Sequence, residues 1–364
     1  MAIRLLRIAT VGAGRVARAV VRRILLAGLA LAPASIALHY LTSVGATADF
    51  VLSATALVPL AWLIGEATEH AADHTGPGIG GFLNATFGNA PELIIALIAV
   101  DRGLDEVVRG SLTGSVVSNL LLVLGASLLA AGDGRIDRPS AMLSLTLIAV
   151  AVAFFLIPAI PGWHGNPNRH SVAVISLPVS CALLVIYVIA TGFSLRRHAI
   201  LHAGDDDALT GWSLRKALLV LGGATVVTAF VAEVLVGSIE EFAQRFGLTD
   251  FFVAAVIVAI VGNAAEHGGA VIVARRGKID LAAEIATSSA AQVALFVIPV
   301  VAIVSWAIKP LALAFRVVEL SVLAGAVVVT AAVLAAGRSS RLRGALLVAA
   351  YGVVVVIFYR AGNR

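Results

Sequence analysis

The chain of 364 residues predicts an all-α integral membrane protein, on three observations. It is 60% hydrophobic and 13% charged, with a mean hydropathy of +1.01, which leaves too little polar surface for a soluble domain. Apolar runs of about 20 residues, the length a helix needs to cross roughly 30 Å of hydrocarbon, recur along its whole length. These runs are continuous and lack the apolar–polar alternation of a membrane β-barrel strand.

Eleven transmembrane helices are predicted. They cover residues 23–41, 48–71, 80–100, 110–131, 140–160, 171–193, 212–238, 251–274, 282–306, 311–336 and 344–359. A basic arm, residues 1–22, precedes an additional first helix, 23–41. Two five-helix halves follow, 48–193 and 212–364, joined by a linker, 194–211, that carries the short acidic run Asp205, Asp206 and Asp207.

With the N-terminus cytoplasmic, eighteen of the 26 Lys and Arg fall on that side, among them Arg135, Arg138, Arg275, Arg276, Lys278, Arg338, Arg341 and Arg343. The bias predicts a cytoplasmic N-terminus and a C-terminus on the opposite side. In a prokaryote the protein would sit in the plasma (inner) membrane. The same bias accounts for the net charge of +5, so the lipid bilayer is the expected partner and nucleic acid is not. Arg316 is left inside the tenth span, with Glu319 one turn on as its expected ion-pair partner. Cys181 is the single cysteine, so no intrachain disulfide forms. "VGAGRVA", Val11 to Ala17, imitates a dinucleotide-binding loop but lacks the βαβ unit that gives such a loop meaning.

Glu92 and Glu266 stand inside apolar runs, 174 residues apart, each after Gly-Asn-Ala. Laying Gly88–Gly103 on Gly262–Gly277 without a gap gives eight identities in sixteen positions. The same offset pairs Glu66 with Glu240, Ser115 with Ser289 and Ser118 with Gln292. Apolar helices resemble one another cheaply, whereas polar residues in register mark a duplication. Five spans per half is an odd number, so the two copies enter the membrane in opposite senses. Such inverted repeats place a site near the bilayer midplane in many transporters.

Two carboxylates in a low-dielectric layer cannot both stay charged and bare, so they hold protons or a cation. A hard divalent cation such as Ca²⁺ suits them, because it takes six to eight oxygen ligands. Oxygens are at hand. Asn89 and Asn263 lie one helical turn before each Glu, and Gly88 and Gly262 permit unwinding that frees backbone carbonyls. Ser115, Ser118 and Asn119 on the following span, with Ser289 and Gln292 on its counterpart, add hydroxyls and amides. The absence of thiolates argues against zinc or copper. His267 has no counterpart in the first half, where Leu93 stands; it is either a proton relay or a structural hydrogen-bonding group. Glu66, Glu233 and Glu240 are candidates for a cation route or for interfacial charges. Ser111, Thr113, Thr287 and Ser288 read as helix-packing residues.

The motifs "PLAWLIGEATE" (Pro59 to Glu69), "GGFLNATFGNAPELI" (Gly80 to Ile94), "GSVVSNLLLVLG" (Gly114 to Gly125), "AEVLVGSIE" (Ala232 to Glu240), "GNAAEH" (Gly262 to His267) and "SSAAQVALFVIP" (Ser288 to Pro299) resemble the cation/proton exchanger family. This family comprises the Ca²⁺/H⁺ antiporters of the calcium/cation antiporter superfamily. The resemblance implies an eleven-helix membrane protein, no enzyme and without cofactor, that exports Ca²⁺, with Mn²⁺ or other divalents as further substrates, in exchange for H⁺. It implies Glu92 and Glu266 as the alternating Ca²⁺ and proton carriers, with the Asn, Ser and Gln residues above as site positions. His267 falls on the proton path and Glu66, Glu233 and Glu240 along the cation route, and a homo-oligomer is compatible with it. Two departures stand out. Ala259 occupies a position where the family often has proline, and the central acidic segment is cut to three Asp. The rival readings are a Na⁺/Ca²⁺ exchanger of the same architecture, an intramembrane carboxylate-dyad enzyme and a passive channel.

Overall fold

A computed structural model describes residues 20–42, 44–163, 169–201 and 211–362. Most of the basic arm with its glycine motif, and the acidic run of the linker, lie outside the described residues. The rest is helical. In chain order the helices are α1 (Val20–Leu41), α2 (Ala46–Phe87), α3 (Ala90–Asp101), α4 (Asp105–Ala131), α5 (Arg138–Trp163) and α6 (Arg169–Leu201). The second half holds α7 (Leu214–Phe246), α8 (Asp250–Gly262), α9 (Ala264–Arg275), α10 (Ile279–Ala307), α11 (Val317–Leu334) and α12 (Arg341–Gly362). Two short strands, β1 (Gly134–Arg135) and β2 (Arg338–Ser339), pair antiparallel. Among the described residues nine helices are long and apolar enough to cross a membrane, and the bent pair α8–α9 makes a tenth.

The third predicted span, 80–100, divides between the end of α2 and α3. A helix of 42 residues would be about 63 Å long if straight. It is not straight. A Cβ built on Gly80 would lie 3.0 Å from the Ala72 carbonyl oxygen and 3.2 Å from its Cα, although eight residues of straight helix advance about 12 Å. The helical backbone therefore doubles back between Ala72 and Gly80, where the sequence suggested a loop.

The duplication is visible in the backbone. α3 and α9 begin and end 174 residues apart, as do the starts of α4 and α10. The turn glycines Gly103 (φ 73°) and Gly277 (φ 80°) occupy matching positions in the left-handed region that favours glycine. A wide π-type turn interrupts α4 at Ser118–Val123 and α10 at Val293–Val297.

The two copies are inverted. At the Gly103 end, Lys309 Nζ donates to the Asp101 carbonyl, and Arg316 pairs with Glu106. α4 carries the chain to the other end, where Gly134 packs on Ile279 beside the Gly277 turn and Ile136 N–H donates to the Gly337 carbonyl at 3.0 Å. Matching turns thus sit at opposite ends of the bundle.

Arg316 is not inside a span, because α11 starts at Val317 rather than at Leu311. The backbone before it stays extended because side chains satisfy it. Leu311 N–H donates to Ser305 Oγ, Leu313 N–H donates to Ser176 Oγ, and the Phe315 carbonyl accepts from Trp163 Nε1 at 2.8 Å. Non-helical backbone at membrane depth persists only where protein covers it, and Leu311, Leu313 and Phe315 are buried. The expected Arg316–Glu319 pair forms at 3.9 Å, and Arg109 joins it at 3.5 Å from the fully buried Glu319.

α4 meets α8 backbone to backbone. A Cβ on Gly110 would lie 2.8 Å from the Phe251 carbonyl oxygen, and one on Gly114 would overlap the Ala255 carbonyl. Small residues four apart permit this approach in membranes. Gly114→Val should lower the thermal-unfolding midpoint in detergent, because overpacking of this kind costs about 1–3 kcal/mol or more. Gly222→Ala, at a site with nothing within 4 Å, should leave that midpoint unchanged or raise it slightly.

Candidate functional site

The helices break where the sequence placed its two Gly-Asn pairs. α2 ends at Phe87 and α3 starts at Ala90; α8 ends at Gly262 and α9 starts at Ala264, with a bend of 56°. Ala259, in place of the family's proline, does not prevent this bend. The glycine and the wide turn at Val253–Val258 loosen α8 on their own. Each break puts a glutamate in the first turn of the helix that follows it, Glu92 in α3 and Glu266 in α9. Unpaired N–H groups at a helix N-terminus favour negative charge there. The carbonyls ending the helix before the break favour a cation.

The two acids share one region. Glu92 Oε1 lies against Gly262, 3.5 Å from where a Cβ would stand, so the first-half carboxylate faces the second-half break. Glu266 stands in the first turn of the helix that follows this same break. Around them a polar network crosses between the halves. Asn89 Nδ2 donates to Gln292 Oε1 at 2.9 Å, and Asn263 Nδ2 donates to Ser115 Oγ at 2.8 Å and to the Ala259 carbonyl at 2.9 Å. Asn119 Nδ2 reaches Ser289 Oγ at 3.1 Å and Asn263 Oδ1 at 3.4 Å, and Ser289 Oγ donates to Glu266 Oε2. Ser118 Oγ turns back to the Ser115 carbonyl at 3.2 Å. Asn89, Ser115, Ser118, Asn119 and Asn263 are buried.

Glu92 Oε2 and Asn119 Oδ1 are buried acceptors without a hydrogen-bond partner among the described residues, and His267 Nε2 is buried in the same condition. Buried polar atoms are almost always satisfied, so orphaned oxygens next to a carboxylate pair mark a place for a cation or a proton. No group of three or more His, Cys, Asp or Glu that could hold a metal occurs among the described residues. Two carboxylates completed by amide, hydroxyl and carbonyl oxygens are the donor set of a hard cation bound reversibly.

Among the described residues, Glu66, Glu233 and Glu240 have no bond into this network. Glu66 pairs with Arg22 at 3.0 Å, Glu233 with Arg102 at 3.7 Å, and Glu240 is exposed and accepts from Gln244 at 3.4 Å. The sequence names the network's members but not their partners. It had no signal that Asn119, whose repeat counterpart is the apolar Val293, would tie Asn263 to Ser289.

A helical membrane protein with inverted halves, broken helices and paired acids in mid-bundle belongs to the class of secondary transporters. Comparison with known proteins narrows this. The family model described as sodium/calcium exchanger protein matches residues 45–196 and 216–360, and the chain belongs to that family. It is 36% identical to a Ca²⁺/H⁺ antiporter of Synechocystis sp. over 93% of this chain and 97% of the relative. It is 38% identical to the Ca²⁺/H⁺ antiporter ChaA of Bacillus subtilis over 85% of this chain and 91% of the relative. The solved structure of native YfkE superposes with a TM-score of 0.79 at 35% identity, covering 93% of this chain and 99% of YfkE. The H⁺/Ca²⁺ exchanger CAX shares the fold, with a TM-score of 0.67 at 16% identity.

Asn119→Leu should weaken Ca²⁺ binding roughly five- to a hundredfold, since leaving buried polar partners unpaired costs about 1–3 kcal/mol. Calorimetric titration of the purified protein checks this, with a retained cooperative unfolding transition as the control for folding.

Proposed function

We propose that this protein is a Ca²⁺/H⁺ antiporter in which Glu92 and Glu266 bind Ca²⁺ or protons in turn. The observation that carries this reading is the Glu92 carboxylate of one inverted copy lying against the Gly262 break that carries Glu266 of the other, beside a network containing orphaned acceptors. Burying two unneutralised carboxylates is too costly for the empty site to cross. The loaded forms, with one Ca²⁺ or with protons, carry no such penalty. Exchange then follows, because either substrate lets the halves rock and neither direction runs unloaded.

Asn89, Asn263, Ser115, Ser118, Asn119, Ser289, Gln292 and the carbonyls at Gly88 and Gly262 complete the cation's oxygen shell as it sheds water. His267, next to Glu266 with a buried ring nitrogen, takes the proton path. Glu66 and Glu240 flank the route at its ends. Eleven spans, the first standing outside two five-helix repeats at 48–193 and 212–364, match both the inverted backbone and the charge bias of the connections. That bias puts the 132–137, 276–278 and 335–340 connections in the cytoplasm. Ca²⁺ leaves the cytosol as protons enter, across the plasma (inner) membrane of a prokaryote.

Proton coupling is favoured over sodium coupling by similarity. The relatives at 36–38% identity are Ca²⁺/H⁺ antiporters, whereas the sodium-calcium exchanger NCX_Mj matches at 17% identity with a TM-score of 0.52.

Purified protein in liposomes should accumulate Ca²⁺ under an imposed pH gradient and not under an imposed Na⁺ gradient; the reverse pattern would make it a sodium exchanger. Glu266→Gln should abolish this uptake with the unfolding midpoint intact. Wild-type uptake in that variant would rule out the shared site.

A further inference from the structure

The two inverted copies are not in the same condition, and the difference runs along one face of α4 and α10. On α10 the residues Leu281, Glu284, Ile285, Ser288 and Gln292 are accessible, with Leu281 40% exposed, while their neighbours 282, 283, 286, 287 and 289–291 are buried. They recur at helical spacing, so they form one stripe from the Lys278 end of α10 to Gln292, which bonds Asn89 in the central network. The repeat counterparts on α4 are Val107, Gly110, Ser111, Gly114 and Ser118, and all five are buried. On α4 that face is sealed by the backbone of Phe251–Ala255, through Gly110 and Gly114. On the neighbouring α9, Gly268 and Gly269 are exposed and face open space.

The accessible stripe does not suit a lipid-facing surface. It carries a glutamate, a serine and a glutamine, and Glu284 lies six residues into its span. It is in no ion pair among the described residues. An ionisable side chain at that depth faces water or a pathway. On the sealed copy the same position is Gly110, where no side chain fits.

We propose that the α10 stripe is the wall of the half-channel joining the central site to the Lys278 face, and that Glu284 is its cation-collecting residue. This rests on the antiport reading above and adds a residue that the repeated motifs did not point to. The carboxylate raises the local concentration of divalent cations in a low-dielectric passage, and Gln292 hands the cation to the network around Asn89. Ser288 lines this passage as well. The mechanism is electrostatic attraction, so it acts on capture and is screened by salt.

Two measurements on the full chain in proteoliposomes test it. In a Cys181→Ser background, Ile285→Cys and Ser288→Cys should react with a charged, membrane-impermeant thiol reagent applied from the Lys278 face. Ser111→Cys, the repeat counterpart of the first, should not react from the Lys278 face. Equal labelling of all three from the Lys278 face, or none at 285 and 288, overturns the half-channel. Glu284→Gln should raise the KM for Ca²⁺ presented at that face by about three- to tenfold at low ionic strength, with kcat kept. The gap should close at about 0.5 M inert salt, and Glu284→Asp should restore the wild-type KM. A wild-type KM in Glu284→Gln, or a fall in kcat alone, sinks the role of Glu284 while leaving antiport standing. Wild-type protein that moves no Ca²⁺ against a pH gradient sinks the antiport reading itself, and the labelling pattern still decides whether the passage exists.

Discussion

The structure is organised around a repulsion. Glu92 and Glu266 stand at the N-termini of two half-helices, with the Glu92 carboxylate against Gly262 at the break that precedes Glu266, and like charges in a low-dielectric layer oppose each other. Everything near them eases that conflict without removing it. The helix N-termini supply partial positive charge, Ser289 donates to Glu266, and the amides of Asn89 and Asn263 tie the backbone breaks to Gln292 and Ser115. Oxygens are left over, on Glu92 and Asn119. A site that stabilised its acids fully would hold them permanently ionised and would have no need of a transported ion.

Inversion gives this site two approaches of similar design, and asymmetry of sequence makes them unequal. Gly110 and Gly114 let α4 press onto α8, while the equivalent Glu284 and Ser288 keep that face of α10 polar and open. Charged pins hold the Gly103 end together, with Arg109, Arg316, Glu106 and Glu319 joining α4 to α11. α2 and α7 form the most extensive helix–helix packing of the fold, with Phe50 stacked on Phe242 at a centroid distance of 4.0 Å. The broken helices that carry the site lie beside this long, unbroken α7.

Much of this could be read from the chain because bilayers impose a coarse and unforgiving code. Span positions follow from length and hydropathy, and the duplication follows from polar residues that no apolar background explains. The breaks at Gly88-Asn89 and Gly262-Asn263 were likewise legible, since glycine followed by a capping residue interrupts a helix locally. Boundaries set by distant side chains were not. Val317 rather than Leu311 opens α11 because Ser305, Ser176 and Trp163 satisfy the extended backbone before it, and these three are on three other helices, α10, α6 and α5. Helical continuity across Ala72 to Gly80 was equally hidden, because glycine and proline there suggest a loop.

The sequence alone determined a two-copy helical membrane protein with a glutamate at the heart of each copy, because periodic apolarity and in-register polar residues are local properties of the chain. Tertiary structure decided which atoms meet: Asn119 with Asn263 and Ser289, Glu233 with Arg102 rather than with the site, and Glu284 in the open rather than sealed. Those outcomes depend on how two helices from opposite halves approach, and that distance is set by packing between residues more than a hundred positions apart.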